Sequence, residues 1–293
     1  MVASILDGRA LANELRDGLA VRAESLHARG VRPRLIVLMV GEDESSLAYV
    51  RGMKAIGSKI GVRVDVEVLP TTTNDAGVRT ALERHDADPS VHGIILQQPL
   101  PGHLSIRRIA SAVPVRKDVD GANPFNQGRL AFATGARFVP ATPAAVMLLL
   151  ERSRAWPLRG REATVIGRSN VVGLPVALLM LAQDATVTVT HKESLDIKAH
   201  TRAAEIVVVA AGAPQLVDAS WLRRGATVID VGTTVVGGKL LGDVDFASAA
   251  DVAAEITPVP GGVGPVTNVA LMRNVISAAE ASPPPQADGV NSY

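Results

Sequence analysis

Apolar residues return every three or four positions between Arg9 and Gly30, placing Leu11, Leu15, Leu19 and Leu26 on one face. That spacing predicts a helix, with Gly30 suited to its C′ position. RLIVLMVG (34–41) is apolar throughout and reads as a buried strand, followed by a helical stretch from about Ser45 to Ile60. VRVDVEVLP (62–70) alternates like a strand, DAGVRTALERHDAD (75–88) has helical spacing, and VHGIILQQPLP (91–101) is a strand stopped by proline. Alternating strands and helices imply an α/β layer with a parallel sheet. From 114 to 143 the pattern dissolves into PVRKDVDGANPFNQGRLAFATGARFVPATP, thirty residues of turn chemistry that suggest a functional crossing. TPAAVMLLLERSR then predicts a helix with Thr142 as its cap and Pro143 in its first turn.

The second half is more regular. ATVIG, ATVTVT, EIVVVAAG and ATVIDVG are apolar on both faces, as strands inside a covered parallel sheet must be. ATVIGRSNVVGLP (163–175) runs from strand through Gly167 to a helix opening near Gly173 and Pro175. Such a turn directs backbone N–H groups and a helix dipole at an anion, as in a Rossmann-like dinucleotide site, although the usual G-x-G-x-x-G spacing is absent. Alone it is equally an ordinary strand-to-helix turn; Arg168 and Ser169 add a cation and a hydroxyl. After the next strand, Lys192 would neutralise a 2′-phosphate whereas Glu193 would accept from a ribose 2′-hydroxyl. Arg168 and Lys192 together favour NADP, and Glu193 reads equally as a solvated charge.

Composition narrows the classes. The chain has 293 residues, 47% hydrophobic and 20% charged, with a net charge of +1 and 3% aromatics. Length and composition fit about two globular domains, and the charge and aromatic content offer neither a field nor stacking platforms for nucleic acid. There is no cysteine, which excludes disulfides, zinc–thiolate sites and cysteine nucleophiles. The six histidines form no H-x-H or H-E-x-x-H spacing, so no metal site is expected. No apolar run reaches the roughly 18 residues of a membrane span, and the N-terminus has no signal-peptide core, so a cytoplasmic protein is expected. The polar, proline-rich end, 281–293, is expected to be disordered.

Several stretches in the first half each carry a modest signal. AYVRGMKAIGSKIG holds Tyr49, GIILQQPLPG ends a buried strand at Gln97, and KDVDGANP sets Asp118 and Asp120 beside a glycine. With GRSNVVGLP, GDVDF and ITPVPGGVGPVT they occur in the order seen in methylenetetrahydrofolate dehydrogenase/cyclohydrolases, the bifunctional FolD family, which the chain resembles from about Leu6 to Ile276. The resemblance implies an N-terminal α/β folate domain (1–140 with the final helix, 266–280) and a C-terminal Rossmann-like domain (141–265), with substrate held between them. It assigns Asp120 to the pterin, Tyr49 to packing on the folate and Gln97 to the reacting carbon. It places Pro260, Gly261 and Gly264 close to folate and nicotinamide. Thr142, Gly167, Arg168, Ser169, Gly173, Lys192, Gly232 and Thr233 fall on positions for NADP. A homodimer is implied as well. Thr233 and Ala141 depart in minor ways, replacing a branched apolar residue and a cysteine.

One departure has chemical weight. The family places a lysine four residues after the tyrosine, on the same helical face. Here that residue is Met53, and the lysine is Lys54, about 100° further round a helix. Hydride loss from 5,10-methylenetetrahydrofolate removes no proton, whereas hydrolysis of the methenyl product to 10-formyltetrahydrofolate must release one. Oxidation is therefore expected to survive and the hydrolytic step to be weak or lost. Full bifunctionality through Lys54, a non-catalytic folate or nucleotide sensor, and another two-domain oxidoreductase acting on a hydroxy or keto acid are the alternatives.

Overall fold

The structure is a computed structural model that describes residues 3–132 and 138–282. In chain order it comprises β1 (Ser4–Ile5), α1 (Gly8–Ala28), β2 (Arg34–Val40), α2 (Glu44–Ile60), β3 (Arg63–Leu69), α3 (Asp75–Ala87) and β4 (Gly93–Leu96). Next come α4 (Ile106–Ile109), α5 (Pro124–Ala131), α6 (Ala141–Leu150), β5 (Glu162–Ile166), α7 (Gly173–Leu181), β6 (Thr186–Thr190), α8 (Ile197–Ala203) and β7 (Ile206–Val209). The chain finishes with β8 (Thr227–Asp230), β9 (Thr234–Val236), β10 (Lys239–Leu241), α9 (Phe246–Ala250), β11 (Glu255–Ile256) and α10 (Val263–Glu280).

Contacts divide the chain into two units, residues 15–125 with 271–293 and residues 1–14 with 126–270. This division differs from the expected one at the first fourteen residues, at 126–140 and at 266–270. Residues Ser4 and Ile5 pair in parallel with Glu255 and Ile256, which assigns the N-terminal strand to the larger sheet. A two-residue strand is too short to announce itself by periodicity. The expected disordered tail lies, from 283 onward, outside the described residues.

The first unit contains a parallel sheet in the order β3-β2-β4. β2 is central and buried from Leu35 to Val40, which explains its uninterrupted apolar run. Ile36, Leu38, Val40, Ile94 and Leu96 pack with Val78, Ala81 and Leu82 of α3 into one core. Both helices beside this sheet have side-chain caps: Asp43 accepts from the Ser46 amide before α2, and Asn74 from the Gly77 amide before α3.

The second unit is built on a six-stranded parallel sheet, β1-β11-β8-β7-β5-β6. Its strands after β1 supply much of a core that includes Ile166, Val207, Val209, Val228 and Ile256. β9 and β10 form a separate antiparallel hairpin. Two local expectations are corrected. The 114–143 crossing is not all turn, because Pro124–Ala131 is helical; the Asn123 side chain accepts from the Phe125 amide at its start. Thr142 does not cap α6: the helix opens at Ala141 after Pro140, whose φ of −50° already sets the chain direction, and no side chain bonds the N-terminus.

Candidate functional site

In the first unit β3 and β4 flank β2 on opposite sides, so the chain direction reverses beside the C-terminal ends of β2 and β4. Open α/β sheets bind ligands at such a switch point. Gln97 sits there, one residue beyond β4, with its amide bonded to Leu38 O at 2.9 Å and its side-chain Nε2 donating to Gln98 O at 2.7 Å. The buried Ser46 hydroxyl, in the first turn of α2, donates to the same Gln98 carbonyl at 3.2 Å and ties that helix to the strand end.

The KDVDG turn meets this region through its backbone, with Ile94 N bonded to Lys117 O at 2.7 Å. Its three charged residues have separate tasks. The buried Lys117 ammonium donates to the carbonyls of His85, Asp86 and Asp88, closing the C-terminal end of α3. The buried Asp118 carboxylate accepts from the amides of Ala122 and Asn123 at 2.8 and 2.9 Å. Gly121 takes a φ of +62°, so the chain can fold back onto that carboxylate. Asp120 is left half-buried and acts electrostatically on Tyr49 of α2. Burial pushes the Tyr49 phenol above its ordinary range, and the Asp120 carboxylate adds to the rise. Tyr49 and Asp120, far apart in sequence, are thus brought together.

Residues 44–60 form one continuous α-helix, with no 3₁₀ or π turn that would re-aim Lys54. Met53 is fully buried and Lys54 is exposed. The two side chains therefore occupy different environments, as the 100° separation requires.

In the second unit the switch point lies between β5 and β7, because β6 and β7 flank β5 on opposite sides. Gly167 follows β5 with a φ of +117°, and a Cβ there would stand 2.2 Å from Ala210 O, just beyond β7. Gly173 opens α7, and a Cβ on it would meet Gly167 O at 2.1 Å. Both glycines are fixed by this close approach of backbone to backbone. The Ser169 hydroxyl accepts from the amides of Val172 and Gly173 at 3.2 and 3.4 Å, shaping the loop from within. Arg168 is exposed beside it. Lys192 and Glu193, which gave opposite hints, form an exposed ion pair with each other at 3.8 Å. Thr142 is half-buried in the first turn of α6.

The remaining site residues of this unit converge on one pocket of about 120 Å³, lined by Gly232, Thr233, Pro260, Gly261 and Gly264 together with Arg9 and Asp230. Gly261 accepts from the Arg9 amide at 3.1 Å, which seats the proline–glycine loop on the start of α1.

Two residues that sequence reasoning passed over belong to this region: Asp230 lines the pocket and Asp243 packs against its Gly232. Asp230 and Asp243 are buried carboxylates whose hydrogen bonds go to backbone amides. Burial raises the Asp230 carboxyl to about 6 despite three amide donors, and raises Asp243 as well. An acid closing an apolar strand, as in TVID, was the available signal.

Comparison with known proteins agrees with this geometry. The sequence model described as the catalytic domain of tetrahydrofolate dehydrogenase/cyclohydrolase matches residues 6–120, and that of its NAD(P)-binding domain matches residues 140–283. "Bifunctional protein FolD" from Azoarcus sp. (strain BH72) is 48% identical over 287 residues, covering 96% of this chain and 98% of that protein. The corresponding protein from Dechloromonas aromatica is 46% identical over 281 residues, covering 96% of this chain and 98% of its own. The FolD crystal structure from Campylobacter jejuni superposes with a TM-score of 0.91 at 35% identity, covering 95% of this chain and 99% of that one. The Trypanosoma brucei methylenetetrahydrofolate dehydrogenase-cyclohydrolase, solved with NADP cofactor and inhibitor, gives 0.90 at 38% identity, covering 96% and 98%. With both domain models matched in order and relatives near half-identical along almost the whole chain, the protein belongs to the tetrahydrofolate dehydrogenase/cyclohydrolase family.

Proposed function

We propose that this protein oxidises 5,10-methylenetetrahydrofolate to 5,10-methenyltetrahydrofolate with NADP, and that its hydrolysis of the product to 10-formyltetrahydrofolate is weak or absent. The observation that carries the second part is the pairing of a fully buried Met53 with an exposed Lys54 on an uninterrupted helix. In this reading Asp120 holds the pterin, since a carboxylate matches its guanidine-like edge. Tyr49 packs on the folate, and Gln97 faces the carbon that loses hydride.

The second unit suits a dinucleotide. Gly167 and Gly173 leave room for backbone approach at a switch point, and α7 follows them with its N-terminus. Thr142, Gly167, Arg168, Ser169, Gly173, Lys192, Gly232 and Thr233 are the residues proposed to hold NADP, with Arg168 and Lys192 supplying positive charge for its 2′-phosphate. NADP, when bound, supplies the hydride acceptor. Pro260, Gly261 and Gly264 line the pocket proposed to take the reacting ring. Oxidation then needs position rather than a titrating side chain, whereas hydrolysis needs a proton acceptor, and a methionine thioether offers none. Folate derivatives are the proposed ligands and a homodimer the proposed assembly, measurable by sedimentation equilibrium.

A second reading, full bifunctionality through Lys54, is favoured by the names of the relatives and opposed by the geometry of α2. Side-by-side assays of both half-reactions with NADP and NAD decide between them. Oxidation with NADP and little hydrolysis is expected, and Met53→Lys should raise hydrolysis by about 100-fold. Wild-type hydrolysis as fast as oxidation, or a Met53→Lys enzyme that folds without gaining hydrolysis, would sink this reading.

A further inference from the structure

We propose that Asp243, backed by Asp230, is a positioning residue that sets the cofactor-side loops at the C-terminal ends of β7 and β8 without touching the cofactor itself. The Asp243 Oδ2 accepts from the amides of Ala211 and Gly212 at 2.7 and 2.8 Å, in the loop after β7. Successive amides gathered on one carboxylate form a nest for an internal anion. Asp230 closes β8; its Oδ1 accepts from Gly232 N at 2.9 Å and Asp243 N at 3.0 Å, and its Oδ2 from Val244 N at 3.0 Å. Two carboxylates thereby fasten three separate segments, 211–212, 230–232 and 243–244, into one unit.

The glycines record how tightly the unit closes. A Cβ on Gly232 would lie 2.3 Å from Asp243 N and 2.5 Å from its Oδ1, and one on Gly242 would lie 1.9 Å from Asp230 Oδ2. Gly232 is therefore glycine because Asp243 stands behind it. Asp243 Oδ1 is buried and has no hydrogen-bond partner among the described residues. Keeping a buried, partly satisfied carboxylate costs stability that an apolar pair would not. Asp243 stands against Gly232 and its amide bonds Asp230, and both of those residues line the pocket with Thr233 and Pro260, which supplies the compensating role.

This inference rests on the NADP reading, so the test separates the two. Calorimetric titration with NADP and steady-state kinetics are run on wild type, Asp243→Asn and Gly232→Ala, with circular dichroism and Tm of each free enzyme as a check on folding. Both variants should weaken the dissociation constant for NADP about tenfold or more, with KM for methylenetetrahydrofolate within about twofold of wild type. A merely structural role would lower the active fraction and leave the NADP constant of the folded remainder unchanged. That outcome, or failure of both variants to fold, overturns the proposal. A wild-type protein that does not bind NADP would instead remove the functional reading on which it stands.

Discussion

The turn at 117–123 and the crossing at 230–244 each set two aspartates close to glycine, yet they divide the labour differently. In the first, Asp118 is buried under two amides and Asp120 remains half-buried beside Tyr49. In the second, both Asp230 and Asp243 are buried and bonded to backbone amides. The difference follows from how many turn amides must be satisfied at each place. The 118–123 turn presents two amides to the Asp118 carboxylate, while Asp120 lies half-buried and acts on Tyr49. The 230–244 crossing joins three segments and engages both acids. Acid-plus-glycine motifs therefore announce a tight turn, and the amides decide which acid is structural.

Substitution at the first turn should separate the two roles most sharply. Asp120→Asn is expected to lower kcat/KM for oxidation by about 100-fold, because the proposed charge-assisted contact to the pterin is lost while the amides of Ala122 and Asn123 keep Asp118 as their acceptor. A large fall in Tm with normal kinetics would reverse the assignment. Asp118→Ala should do the opposite. One buried and one half-buried amide lose their acceptor, which costs about 2–3 kcal/mol in denaturant unfolding, while the folded fraction keeps its KM for folate.

The second turn offers a pH experiment. Asp230 titrates near 6 when folded, against an ordinary 3.8. Between those values the folded chain holds a proton that the unfolded chain has released. The contribution of this group to stability is thus complete below about pH 4 and lost as pH rises through about 6, by at most about 3 kcal/mol. Tm measured from pH 4 to 7 should show that downward slope in wild type and a shallower one in Asp230→Asn, since burial raises Asp243 as well. An identical slope in both would show that Asp230 does not titrate there.

The smallest effect is expected away from both turns. Lys192 is exposed and already paired with Glu193. Lys192→Ala should weaken NADP binding only about two- to fivefold, and less at high salt, since exposed pairs contribute little. Arg168→Ala, which removes an exposed cation with no carboxylate beside it in the sequence, should cost more than Lys192→Ala.

Long periodic segments were legible before the fold. The 3.6-residue spacing from Leu11 to Leu26 became α1, and the apolar runs at 34–41, 163–167 and 205–212 became parallel strands. Short elements were not. β1 and β11 contain two residues each, too few to show alternation, and α5 spans only about two turns with Gly128 inside it, too short to stand out from the turn chemistry around it. Thr142 looked like a cap because threonine before proline commonly is one, but Pro140 had already fixed the helix entry.

The sequence alone determined the order of the long strands and helices, the glycine loop after β5 and the offset between Met53 and Lys54, because each depends on neighbouring residues or on a fixed helical angle. Tertiary structure alone decided that Asp118 is structural while Asp120 stands by Tyr49, that Lys192 and Glu193 hold each other, and that Asp230 and Asp243 share one set of loops. Those outcomes depend on which backbone amides lie within about 3 Å of a carboxylate, and packing brings those amides together from segments that local patterning does not connect.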